Sequence, residues 1–394
     1  MTTTTRPYDF DTIIDRRNTD AIKWTMHGED VLPMWVAEME FQSAPEILQA
    51  LHQRVEHGVF GYTINSEGLR DATVERMAEL YNWQIQPDWI VFNPGMVLML
   101  NVMAQCVGKA GDGIIFNSPV YGPFYNIAKN RGFFAQGADM VRVDDDANTF
   151  HYELDFDAFE NAITDQTSMY FLCDPHNPTG KIYTRAEQER LAEICLKHDL
   201  TIAADHIHAD LLMDGNSFQP IATISPEVAQ KTVTMFSSTK TFNVPGLACT
   251  IAIVPNEDLR IKMSERSFMS GYHVNTLAFT AAEAGYRHGG AWLNAALAYM
   301  TENRNILVDF IRNELPMLKT SVPEATYLAW IDCSALNIGE QSLQDFFVER
   351  GKVAFSPGEF FGKAGKSFVR FNYAAPRSMV QEALKRMKTA IDTL

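Results

Sequence analysis

Through its middle the chain alternates short apolar runs with longer stretches of helical period. Runs at 89–92, 113–116, 140–143, 167–173 and 200–205 read as strands, from their length, their β-branched and aromatic content and their flanking turn residues. Between them, 96–108 reads as an apolar helix, and 123–131 as a helix stopped by Gly132. The segment 184–198 reads as a helix opened by Thr184 with Glu187 in the capping-box position. Strands interleaved with helices in this way predict an α/β fold, a mostly parallel sheet sandwiched between helices, with its ligand beyond the carboxyl ends of the strands. The C-terminal pattern is different. A long helix over 291–313, short strands at 327–331 and 368–371, and a last helix from Ser378 predict a smaller α+β domain. The expected division is a large domain over 50–285 and a small one formed by 1–49 with 286–394.

Bulk composition narrows the class. A chain of 394 residues is longer than one core usually serves, which agrees with two domains. A formal net charge of −16 argues against nucleic acid or an anionic membrane as partner, although a local pocket can still receive an anion. Five cysteines, at 106, 173, 195, 249 and 333, form no CxxC, so reduced and mostly buried thiols of a cytoplasmic protein are expected. The polar N-terminal stretch does not read as a signal peptide, and no uncharged apolar run reaches the roughly 20 residues a membrane span needs.

Candidate chemistry collects at the predicted strand ends. Lys240 follows the β-branched and apolar run 232–236 and the hydroxyl residues Ser237, Ser238 and Thr239; Asn243, Pro245 and Gly246 come after. That context puts it in a loop at a strand end, as a solvated charge or as an amine able to form a Schiff base. Asn93-Pro94-Gly95-Met96-Val97 is a βα turn, either an ordinary connector or a phosphate site at a helix N-terminus. Tyr121, just past another strand end, is a packing residue or a stacking surface for a flat ring. Asp174-Pro175-His176-Asn177-Pro178-Thr179-Gly180 is a rigid loop that offers the Asn177 amide. Asp205 ends an apolar strand and needs a partner, for which a protonated pyridine nitrogen qualifies. Asp205, His206 and His208 also read as metal ligands without a nearby fourth group, or the histidines as structural.

In this order (glycine turn, Tyr, Asn-Pro loop, Asp, Lys) the chain resembles the fold-type I pyridoxal-phosphate enzymes, the aspartate aminotransferase superfamily. The stretches Leu32 to Phe41, His57 to Thr63, Pro175 to Gly180, Lys240 to Gly246, Thr326 to Trp330, Phe368 to Asn372 and Pro376 to Ser378 look most like the cystathionine β-lyase, or C–S lyase, subgroup called MalY/PatB. The resemblance implies that Lys240 holds pyridoxal 5'-phosphate as a Schiff base and moves protons. It implies that Asp205 faces the ring nitrogen, Asn177 and His208 the ring oxygen, and that Tyr121, the second catalytic candidate, stacks on the ring. Gly95, Met96, Val97 and Ser237 would hold the phosphate, Tyr62 would reach a neighbouring subunit's phosphate in a homodimer, and Arg370 would clamp the substrate carboxylate. No metal is expected.

Some positions depart from the subgroup's pattern. His206 stands where Glu is usual, Glu38 and Glu40 stand in an "ADMDF" motif, and Thr25 stands in "KWD". Ala248 occupies a position where many aminotransferases carry a phosphate-binding Arg. The implied activity is β-elimination on cysteine S-conjugates such as cystathionine. The alternative is an aminotransferase of a small or aromatic amino acid.

Overall fold

Seven strands run through the middle of the chain: β1 (Ile90–Asn93), β2 (Gly113–Ser118), β3 (Phe134–Asp139), β4 (Thr167–Cys173), β5 (Thr201–Asp205), β6 (Thr232–Phe236) and β7 (Thr250–Ile253). This computed structural model describes residues 8–63 and 65–394. The strands form one sheet in the order β1-β7-β6-β5-β4-β2-β3, parallel except for β7, which runs antiparallel to both β1 and β6.

Side chains along each strand alternate between two apolar layers, as the two-residue strand period demands. Val91, Phe171 and Ala203 pack with the helix Met96–Val107 on one face. On the other face, Tyr170, Leu172, Ile202 and Ala204 pack on the helix Arg185–Lys197, and Ile90, Phe92 and Ile251 pack toward Thr276–His288. Burial on both faces is why these strands read as continuous apolar runs. The helix Arg185–Lys197 opens with the full capping box of Thr184 and Glu187, and Gly132 closes Pro123–Arg131 in the left-handed conformation, φ 72°.

Two expectations are corrected. The run at 140–143 does not join the parallel sheet. It is the strand Val141–Asp144, paired antiparallel with Thr149–Glu153, and that hairpin joins a second, six-stranded sheet through Lys319–Ser321. The place it was expected to fill belongs to β3, whose sequence FAQGAD is mostly exposed at the sheet edge and shows no apolar period. Lys240 sits in a short helical turn, Ser238–Thr241, directly after β6, rather than in an open loop.

The second sheet also contains Leu328–Asp332 and the fully buried strand Phe368–Asn372, which carries Arg370. N-terminal residues thread this region: Leu32–Pro33 pairs with Val353–Ala354, and Met39 and Phe41 enter the core with Trp292 and Phe371. All five cysteines are free, and four of them are buried. No helix among the described residues is long and apolar enough to cross a membrane.

Candidate active site

Strands β1, β2, β4, β5 and β6 end at the same edge of the sheet, so the residues that follow them converge. A cavity of about 740 Å³ lies there, and every predicted site residue except Tyr62 lines it. Tyr62 is fully exposed.

The Lys240 amine donates a 2.6 Å hydrogen bond to the Ala37 carbonyl. Burial, reinforced by the nearby positive Arg370, lowers this amine to about 8. Asp205, at the end of β5, is 3 % exposed and accepts the Ile207 N–H at 3.1 Å. Burial raises its carboxyl to about 7, while the Ile207 hydrogen bond and Lys240 act in the opposite direction. His208 is buried, and its Nδ1 has no hydrogen-bond partner. Burial, with Lys240 and Arg370 near, keeps its ring well below the usual histidine range, hence neutral.

Arg370 is buried on its strand without a carboxylate partner among the described residues. It donates to Asn177 Oδ1 at 3.0 Å, to the Trp35 carbonyl at 3.1 Å and to Ser356 Oγ at 3.0 Å. Its guanidinium lies 4.8 Å from the centre of the Phe361 ring, and its Nε is unpaired. Burial lowers Arg370 to about 10, so it stays cationic at neutral pH. An arginine can only donate, so the Asn177 oxygen must face it, and the Asn177 NH2 is left to donate elsewhere. Tyr121 packs edge-on against Phe124 and Phe360, and burial raises its phenol above the ordinary range.

Gly95 precedes Met96–Val107 at φ 129°, a conformation that favours glycine, and that helix start has no side-chain cap. The first N–H groups of the helix are therefore available to an anion. Ser237 lines the cavity and also orders the backbone beside it. Its hydroxyl donates to the Cys249 carbonyl at 2.6 Å and accepts the Thr239 N–H at 3.3 Å, so it orders the turn that carries Lys240.

His206 does not line the cavity. It packs on Phe218 and Phe236 and bonds the Asp174 carbonyl through Nδ1, pointing away from Asp205 and His208. The structural reading therefore holds for His206, and the three residues do not converge as metal ligands. Among the described residues no group of three or more His, Cys, Asp or Glu side chains is placed to hold a metal ion.

Sequence reasoning missed one functional group, the Ala37 carbonyl. It accepts from Lys240 and also from the Tyr327 hydroxyl at 3.0 Å. Its segment is pinned on both sides. Asn372 donates to the Glu38 carbonyl at 2.7 Å, Asn243 accepts the Met39 N–H at 2.9 Å, and Lys23 pairs with Glu40 at 2.8 Å. A backbone carbonyl leaves no mark in residue type. The only signal was the clustering of unusual residues around it, Glu38 and Glu40 among them.

These residues suit pyridoxal 5'-phosphate. A buried amine of lowered basicity, a buried carboxyl short of a cation, an unpaired neutral imidazole and an uncapped helix start match its aldehyde, ring nitrogen, ring oxygen and phosphate.

Comparison with known proteins agrees. The family model "Aminotransferase class I and II" matches residues 29–387. The chain is 35% identical to cystathionine beta-lyase PatB of Bacillus subtilis over 97% of its own length and 100% of that protein. It superposes on cystalysin from Treponema denticola, whose crystal structure contains pyridoxal 5'-phosphate, with TM-score 0.93 and 32% identity, covering 98% of this chain and 99% of that one. The pyridoxal-phosphate-bound C–S lyase of Staphylococcus hominis gives TM-score 0.92 at 29% identity, with the same coverage of both chains. The chain thus belongs to the class I and II aminotransferase family, in its branch of pyridoxal-phosphate-dependent cystathionine β-lyases and C–S lyases.

Proposed function

We propose that this enzyme cleaves the Cβ–S bond of cysteine S-conjugates such as cystathionine by β-elimination. One conjugate and one water give a thiol (homocysteine from cystathionine), pyruvate and ammonia. The observation that carries this reading is a buried amine, Lys240, and a buried, carboxylate-free guanidinium, Arg370, on one cavity.

Bound pyridoxal 5'-phosphate supplies the electron sink for charge developing at Cα. Arg370 holds the α-carboxylate through its uncommitted N–H groups, which fixes the Cα–H bond relative to Lys240. Lys240, about half deprotonated at pH 8, takes the Cα proton and returns one to the departing sulfur. Asp205 would face the cofactor's ring nitrogen, and a cation there would favour its ionised form. Asn177 and His208 would address the ring oxygen, Tyr121 would lie against the ring, and the turn at Gly95, Met96 and Val97 with Ser237 would hold the phosphate. Ala248, which lines the cavity where a phosphate-binding Arg is expected in many aminotransferases, supports the lyase reading. The active form is a cytoplasmic homodimer, in which the exposed Tyr62, beside exposed Val59 and Phe60, reaches the neighbouring subunit.

The test is to incubate the holoenzyme with cystathionine and no keto acid. Pyruvate and thiol in large excess over enzyme are expected. A single turnover per site, renewed only when a keto acid is added, identifies an aminotransferase instead.

A further inference from the structure

Among the described residues lining the cavity, the only Lys, Arg, Asp or Glu side chains are Lys240, Asp205 and Arg370, all at its inner end. The outer end is made by Met26, His27, Trp35, Gln344, Pro357 and Phe360. Met26 is 58 % exposed and Phe360 44 %, so large apolar side chains stand uncovered at the mouth. Rings form its walls: His27 stands edge-on to Trp35 at 5.6 Å, and Phe360 edge-on to Tyr121 at 6.0 Å. The polar groups of the mouth are His27 and Gln344, whose Nε2 atoms lie 3.5 Å apart. Burial lowers His27 below its usual range despite nearby Asp345, so it adds no charge at neutral pH.

We propose that this outer wall selects cysteine S-conjugates whose leaving thiol is uncharged and aromatic over conjugates, such as cystathionine, that end in a second amino-acid head group. The inference rests on the β-elimination reading above. The carboxylate of a zwitterionic head loses water at the mouth and meets no Lys or Arg among the residues that line it. A flat ring instead covers Met26 and Phe360, packs edge-to-face with the aromatic walls, and keeps one hydrogen-bonding edge for His27 or Gln344.

Aromatic thiolates are also better leaving groups, so turnover alone does not isolate recognition. Methylene analogues, with CH2 in place of sulfur, cannot lose a thiol and report binding. The experiment measures, on holoenzyme, competitive inhibition by 2-amino-4-phenylbutanoate and by 2,7-diaminooctanedioate. It also follows pyruvate release from S-phenylcysteine and cystathionine. The phenyl analogue is expected to bind about tenfold tighter or more, the scale set by one aromatic ring against one unpaired head group. Gln344→Arg places a cation at the mouth and is expected to narrow that gap roughly threefold or more by favouring the diacid. If both conjugates release pyruvate but the diacid binds as tightly as the phenyl analogue, or Gln344→Arg leaves the gap unchanged, the selectivity proposal fails and the lyase reading stands. If neither conjugate releases pyruvate, both fail.

Discussion

Two lysines, one fully and one partly buried, touch the same stretch of backbone in opposite surroundings. Lys23 donates to the Glu38 carbonyl at 3.1 Å and forms a 2.8 Å ion pair with Glu40, both side chains almost fully buried. Arg16 and the Trp24 indole complete the shell around Glu40, each at 3.0 Å. Lys240 donates to the Ala37 carbonyl one residue away, but its acceptor is neutral, and Asp205 and Glu38 act on it only through space. A buried ammonium needs a counter-charge at contact distance. Lys23 has one and is structural. Lys240 lacks one and its basicity falls, which suits the catalytic role proposed for it. What separates the two lysines is one carboxylate.

The sharpest way to break this contrast is to remove each amine in turn. Lys240→Ala should lower kcat by about 10³-fold or more, since one group serves as both attachment point and proton carrier. It should also abolish the cofactor's lysine-bound absorbance while leaving the thermal midpoint close to wild type. Activity and colour that survive the substitution would remove Lys240 from the mechanism. Glu40→Ala addresses the other lysine. It strands Lys23 and should destabilise the fold by about 3–5 kcal/mol in denaturant titration. The kcat of the remaining folded enzyme should hold within roughly threefold, because Asn372, Asn243 and Tyr327 still hold the Ala37 segment. The double variant Lys23→Met with Glu40→Leu should recover most of that loss. If Glu40→Ala instead abolished turnover without unfolding, the two lysines would be one machine rather than two.

Asp205 is the converse case, a buried carboxylate awaiting a cation. Its carboxyl is about 7 in the fold against an ordinary 3.8, so burial penalises the charged form. That penalty is absent below pH 4, grows as pH rises toward 7, and is complete above it. At pH 8, Asp205→Asn should therefore stabilise the cofactor-free protein, on the order of 2 kcal/mol by calorimetry. The same change should cost the holoenzyme about 100-fold in kcat, because the ring nitrogen loses its partner. A substitution that destabilised the cofactor-free chain at pH 8 would show that Asp205 is already satisfied within the protein.

How much of this the sequence displayed follows the same physics. β4, β5 and β6 were legible because burial on both faces demands continuous apolar runs, and Asp205 and Lys240 stood out as polar groups just beyond them. The edge strand β3 was not legible, because an exposed edge imposes no such run. The 140–143 run was legible as a strand but not as a member of the second sheet, since its partner Thr149–Glu153 itself pairs with Lys319–Ser321, far along the chain. Within the site, side chains with distinctive chemistry were found and backbone groups were not. Ala37 matters only through its carbonyl, and His27 and Gln344 matter only through where the fold carries them.

The smallest predicted effect tests the lysine contrast most directly, because it reads the Lys240 proton itself. Only the neutral amine condenses with an aldehyde, so the rate at which cofactor-free enzyme takes up pyridoxal 5'-phosphate should follow the fraction of Lys240 deprotonated. With the amine at about 8, uptake followed by absorbance should rise about tenfold per pH unit below that value and flatten above it. A solvated lysine, near 10.5, would still be climbing at pH 10. Arg370 is the second cause of the lowered value, after burial, and Arg370→Met removes its charge. The midpoint should then move upward, by less than about one pH unit, because burial remains. A midpoint that stayed near 10 in the wild type would place Lys240 with the solvated lysines, and the carbonyl at Ala37 would then be ordinary backbone.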